Sequence, residues 1–196
     1  MSSRFTRALL LGVSALIWVG AVAKPLSVDL KWTPNSDTLA PPALDLTGGV
    51  YSLQIEKLVD KREKGNQIGE NTEKKDVVPI ITPSDVALFV TDMVIAQSKK
   101  TGIQIVGNGG DRVLKGELME FWAQEAKNYT GSVRVKFMLV GTDGKEIWTG
   151  VVSGAGGNFG RSLKPLNYTE TFTNALSDLI RNLYVQPGFA SALKRR

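Results

Sequence analysis

The sequence contains no cysteine and no histidine. The first absence removes disulfides, thiolate metal sites and cysteine nucleophiles. The second removes the commonest general base, the commonest transition-metal ligand and every Ser-His-Asp or Cys-His pair. An enzyme built on this chain would need a carboxylate pair, a lysine or tyrosine base, or an oxygen-ligated metal. Long hydrophobic runs are also scarce. The run from Ala8 to Val19 is about 12 residues, against the roughly 20 that a bilayer-spanning helix needs.

That run has the flanks of a secretory leader. Arg4 and Arg7 precede it, and Ala21, Val22 and Ala23 give the small-x-small pattern of a cleavage site. The expectation is export with cleavage after Ala23, into a bacterial periplasm, with outer-membrane association as an extension of that reading. A eukaryotic secreted domain of this size more often carries disulfides. The leader has no cysteine that could be lipid-modified.

Lys and Arg number 24 against 19 Asp and Glu. Two of the cations, Arg4 and Arg7, lie in the leader, and Lys194, Arg195 and Arg196 lie at the C-terminus, so the body of the chain is formally neutral. No basic stripe with interleaved aromatics appears, which argues against nucleic acid as a partner. The basic tail is either a solvated terminus or a point of peripheral contact with anionic lipid.

The expected organisation is a leader at 1–23, a Pro-rich extended segment at 24–48, one α+β domain at 49–186 and a basic tail at 187–196. Pro25, Pro34, Pro41 and Pro42 keep the second segment extended, as a tether. Alternation from Gly49 to Val59 predicts a first strand, and the polar stretch Asp60 to Asp76 an exposed loop. Pro83, Ser84 and Asp85 start a helix whose apolar positions Val86, Phe89, Val90, Met93 and Val94 recur every three or four residues. Ile103 to Val106 is read as a strand turning through Gly107 to Gly110 into a hairpin. Val113 to Gln124, Ser132 to Val140 and Glu146 to Gly154 then make three antiparallel strands, with a bulge near Met119 or Glu120. Asn167 and Glu170 approximate a capping box for a last helix, with Phe172, Ala175, Leu176, Leu179, Ile180 and Leu183 as its apolar stripe. The fold class that follows is α+β: a two-layer sandwich with a largely antiparallel sheet of four to five strands and two helices on one face.

Candidate catalytic, metal and cofactor sites fail on spacing, so none is assigned. Gly154, Gly156, Gly157 and Gly160 lack the dinucleotide fingerprint, and no Lys-Ser or Lys-Thr follows as in a P-loop. A twisted strand end and mobile loop is the alternative reading. Glu117 and Glu125 share strand parity but stand eight residues apart, roughly 27 Å in an extended chain, too far for a paired-carboxylate hydrolase. Asp60, Glu63, Glu70, Glu73 and Asp76 lack the spacing of a calcium loop.

With helices on one face, the other face of the sheet must meet water, lipid or a partner. Met138, Trp148 and Val152 are assigned to that face, with Trp122, Phe159 and Arg161 beside them, as candidate partner-binding residues. The alternative is that Leu26, Val28, Leu30 and Trp32 cover the face as an extra strand. The reading that follows is a non-enzymatic binder of a partner protein or envelope glycolipid through the uncovered sheet face and the glycine-rich loop; the runner-up is a small-ligand or lipid carrier with its ligand between helices and sheet, and a histidine-free glycan hydrolase ranks last.

The exported start, the Val59, Asp60, Lys61, Arg62 corner, the amphipathic helix, the Val113, Leu114, Lys115, Gly116 strand start and the final helix after Asn167 and Tyr168 together resemble the YajG-type bacterial envelope lipoproteins, over about residues 49–184. More distant likenesses are the LptE-like and penicillin-binding-protein activator lipoproteins. The resemblance implies a non-catalytic accessory role in the outer envelope, bound to an envelope protein complex or to glycolipid. The chain departs from it in having no lipobox cysteine.

Overall fold

The computed structural model describes residues 23–45, 47–73 and 75–194, so the leader reading falls almost wholly outside the described residues. The strands are β1 (Leu26–Ser27), β2 (Leu53–Ile55), β3 (Val59–Asp60), β4 (Gln67–Asn71), β5 (Val78–Ile81), β6 (Ile105–Val106), β7 (Arg112–Glu125), β8 (Tyr129–Gly141) and β9 (Glu146–Asn158). The helices are α1 (Val86–Ser98), α2 (Pro165–Val185) and α3 (Pro187–Leu193).

Strand β7 is the spine of the sheet. Along one edge it pairs with β8, which pairs in turn with β9, in the antiparallel meander that the alternating pattern predicts. The register slips between Leu118 and Glu120, placing a bulge at Met119. Along its other edge β7 receives β2, β3 and β4 one after another, all parallel. Strand β6 adds outside β2, while β5 and then β1 add outside β4.

The expected four- to five-stranded, largely antiparallel sandwich with two helices is therefore overturned. Among the described residues the sheet is mixed, strongly curled and nine-stranded, with three α-helices. Two- to five-residue strands are too short to show a period, and the strand expected over 49–59 is broken into β2 and β3. Strand β4 was hidden in a polar stretch, although its Ile68, Gly69 and Asn71 are buried. The hairpin expected across Gly107 to Gly110 does not form either. Strands β6 and β7 both run parallel to β2, on opposite sides of it.

Helices α1 and α2 share one face of the sheet, where Phe121 of β7 stacks on Phe172 of α2 at 4.1 Å and meets Phe89 of α1 edge-on at 6.3 Å. Helix α1 begins where expected, with the Asp85 carboxylate accepting the Leu88 N–H at 2.9 Å. Helix α2 starts earlier than the Asn167 cap implied. Pro165 occupies its first turn, and Glu170 turns away to hold Asn158. Part of the stretch expected as a C-terminal tail is helix α3, whose Phe189 and Leu193 are buried.

The proline-rich segment is extended but packs against the domain. After β1 it crosses α2 as a strap: Thr33 N–H donates to Thr173 Oγ1 at 2.9 Å, Thr38 Oγ1 donates to Asn174 Oδ1 at 2.7 Å, and Leu39 N–H donates to Ser177 Oγ at 2.8 Å. Helix α2 is thus buried between sheet and strap, which explains why its Thr173, Asn174 and Ser177 are buried polar residues with partners.

On the sheet side, α2 lies against Gly154 and Gly156 of β9. A Cβ on Gly154 would fall 2.2 Å from the Ala175 carbonyl oxygen, and one on Gly156 would fall 2.3 Å from the Ala175 nitrogen. The glycine-rich run is strand, and its glycines permit close approach of backbones. Gly154→Ala should therefore destabilise the fold by about 1–3 kcal/mol through overpacking. Gly157→Ala, whose nearest obstacle is the Tyr129 carbonyl at 3.1 Å, should cost less in the same urea titration.

Candidate interaction surface

Among the described residues, the face of β7–β9 opposite the helices is exposed over much of its length. It carries Glu117, Glu120 and Trp122 from β7, Ser132, Arg134, Lys136 and Met138 from β8, and Ile147, Thr149 and Val151 from β9. Because the bulge at Met119 shifts the phase of β7, Glu117 faces outward while Glu125 faces the core. The shared parity read for these two carboxylates is overturned on that ground.

A groove of about 500 Å³ opens on this face, between the turn at 61–67 and the middle of β7 and β8. Lys64 Nζ lies 4.2 Å above the Trp122 ring. Arg134 Nη2 pairs with Glu120 Oε2 at 3.1 Å, and Ser132 Oγ donates to the other Glu120 oxygen. Arg62 forms the groove's most enclosed charged group, with its side chain only 7% exposed. Its Nε and Nη2 clasp Asp60 at 3.0 and 2.7 Å, and Nη2 also donates to the Gly65 carbonyl at 3.0 Å. Burial pushes the Asp60 carboxyl upward, but Arg62 outweighs it and holds the group below its ordinary value. Arg62 Nη1 is buried and has no hydrogen-bond partner among the described residues. Cations, acceptors such as Gln67 and an aromatic face surround one concavity together with the acids Glu63, Glu117 and Glu120, of which Glu120 is held by a cation and a hydroxyl.

The six sequence-assigned residues do not converge. Trp148 and Val152 pair across the β8–β9 ladder with Leu139 and Val135, which are core residues, so both face inward. Trp148 packs on Phe189 of α3 at 5.1 Å between ring centroids. Their placement on the open face is corrected accordingly. Met138 and Trp122 do lie on that face, but Trp122 is opposite Ser132, six residues from Met138 along β8, or roughly 20 Å. Phe159 and Arg161 sit at the end of the sheet. Sequence reasoning missed Arg62, Lys64 and Gln67, which read as a solvated loop; the Val59–Arg62 corner was the available signal. The layer between helices and sheet, where a carried ligand was considered, is filled by the Phe89, Phe121 and Phe172 cluster.

The end of the sheet is organised by Glu125, fully buried. Its Oε1 accepts the Leu163 N–H at 2.9 Å, and its Oε2 accepts the Tyr168 hydroxyl at 2.8 Å. Leu163 adopts φ +47°, the left-handed region. Tyr129 Oη accepts the N–H groups of Ser162 and Lys164 at 3.3 and 3.4 Å. Burial raises the Glu125 pKa, yet the donated hydrogen bonds outweigh it and leave the carboxyl below its ordinary value. Burial and the adjacent carboxylate push the Tyr168 phenol far upward. At the C-terminus, Lys194 pairs with Asp45 at 2.8 Å, while Arg195 and Arg196 lie outside the described residues.

No protein-family model and no curated protein matches the chain. Among solved structures, protein XCC0632 of Xanthomonas campestris, from the family DUF330, is similar with a TM-score of 0.59 at 10% identity, covering 84% of this chain and 96% of that one. A PelC dodecamer from Paraburkholderia phytofirmans gives 0.45 at 13% identity over 80% and 95% of the two chains. Lipoprotein GNA1162 from Neisseria meningitidis gives 0.35 at 15% over 54% and 83%. The chain has the fold of the DUF330 protein, and its structural neighbours include a bacterial protein named as a lipoprotein. Among the described residues no helix is long and apolar enough to cross a membrane.

Because the folded-state pKa of Glu125 lies below the unfolded value, its contribution to stability is complete above about pH 4.5 and is lost as pH falls through the folded-state value. Glu125→Ala should lower stability at neutral pH by at least about 2 kcal/mol by orphaning the Leu163 and Tyr168 donors. It should also flatten this part of the acid dependence in urea titrations between neutral and acid pH.

Proposed function

We propose that this protein is a non-catalytic accessory of the bacterial envelope that holds the charged headgroup of an envelope glycolipid in the outer-face groove. The observation that carries the reading is the groove itself. The buried Arg62 with an unpartnered Nη1, the Lys64–Trp122 stack and the Arg134–Glu120 pair surround one concavity. Aromatic faces accept the apolar face of a sugar, and guanidinium and ammonium groups match its phosphate or carboxylate substituents. The secretory pattern from Arg4 to Ala23 supports an envelope location, and the lack of histidine and cysteine supports binding over catalysis.

A second reading, a partner protein on the same face, is favoured by one feature. Ile147 and Val151, exposed by 42% and 55%, lie on β9, which pairs with β8 alone.

The test is binding of the chain beginning at Lys24 to lipopolysaccharide micelles, compared with its Trp122→Ala and Lys64→Ala variants. Glycolipid binding that weakens at least about tenfold in Trp122→Ala, with unfolding unchanged, is the expected result. Equal binding by parent and variant would exclude the groove. A stoichiometric protein partner lost on Val151→Glu would support the second reading instead.

A further inference from the structure

We propose that the end of the sheet formed by the β7–β8 turn and the β9–α2 loop seats the protein on an anionic phospholipid bilayer, with Phe159 inserted among the headgroups. Phe159 is 89% exposed, the most exposed large apolar side chain in the described residues, and Leu166 on the first turn of α2 is 49% exposed. Around them stand the exposed cations Lys127, Arg161 and Lys164. Arg161 Nε donates to the Lys127 carbonyl at 3.2 Å, which ties the loop and the turn together at one end of the molecule. The N-terminus of the 21-residue helix α2 emerges here, adding positive potential.

The exposure of Phe159 is built in. Its N–H is held by Asn158 Oδ1 at 2.8 Å, and the Asn158 side chain is held by Glu170. Beyond it, Tyr129 and the buried Glu125 fix the backbone of residues 162–164, including the left-handed Leu163. A loop tied to the core at this many points does not fold its phenyl ring inward. Of the acids nearby, Glu73 pairs with Arg161 at 3.2 Å, Glu170 holds the Asn158 amide, Asp178 accepts the Ala155 N–H at 3.0 Å, and Asp37 lines the same concavity as Phe159, so the positive charge the loop offers rests on Lys127 and Lys164. An aromatic prong with a collar of cations complements the bilayer interface, where ring burial and attraction to anionic headgroups act together. Lys127 and Lys164, exposed on either side of the loop, favour an anionic surface over a neutral one.

This inference does not depend on the groove, and its test separates the two. The chain beginning at Lys24, which retains every described element, is sedimented with phosphatidylcholine vesicles with and without phosphatidylglycerol, neither of which contains glycolipid. The expected result is binding to the phosphatidylglycerol vesicles that falls with added salt. Phe159→Ser should weaken it at least about tenfold, with an unchanged urea midpoint because the ring is exposed. The double variant Lys127→Glu and Lys164→Glu should lose the preference for phosphatidylglycerol, and Trp122→Ala should bind as the parent does. Equal sedimentation of parent and Phe159→Ser, equal binding to both vesicle types, or no vesicle binding by the parent would each overturn the proposal.

Discussion

The packing of α2 against the backbone of β9 is the constraint on which the rest of this structure depends. With Ala175 and Leu179 backbone atoms 2.2 Å from where a Gly154 Cβ would stand, helix and strand meet without side chains between them. That proximity brings Phe172 onto Phe121 and closes the core at its centre. It also leaves the opposite side of α2 polar and uncovered, and the strap from Thr33 to Leu39 supplies the missing hydrogen-bond partners.

Strand β7 distributes what remains. Its bulge at Met119 turns one continuous strand into two with opposite phase, so Glu117 and Glu120 serve the open face while Glu125 enters the core. Acidic side chains of one strand thus hold different structures. Glu120 fixes Arg134 in the groove, and Glu125 fixes the loop that carries Phe159 and Arg161. The two surfaces are separable because each is organised by its own carboxylate.

The legible parts of the fold were those with period and length. Helix α1 and its Asp85 cap, the β7–β9 meander, the Met119 bulge and the apolar stripe of α2 all show in the sequence, since each repeats a burial pattern over many residues. Strands β4 and β5 do not, being five and four residues long and held by the edge of β7 and by each other, while β6, read as a strand, joins β2 instead of closing a hairpin. For the site, Met138 lies on the open face to which it was assigned, and Trp122, placed beside that face, lies on it too. Trp148 and Val152 were not, because their facing depends on the β8–β9 register that pairs them with Leu139 and Val135.

By itself, the sequence determined the chemistry available and the local elements. Without histidine or cysteine the common catalytic and metal-binding constellations cannot form, and periodic apolar residues force helices and long strands. Tertiary structure alone decided that residues distant along the chain, Asp60 to Gln67 and Glu120 to Arg134, wall one groove. It also decided that Glu125 reaches across to residues 163 and 168. Such meetings depend on strand register and on how closely a helix approaches a sheet, and neither quantity is carried by any local run of residues.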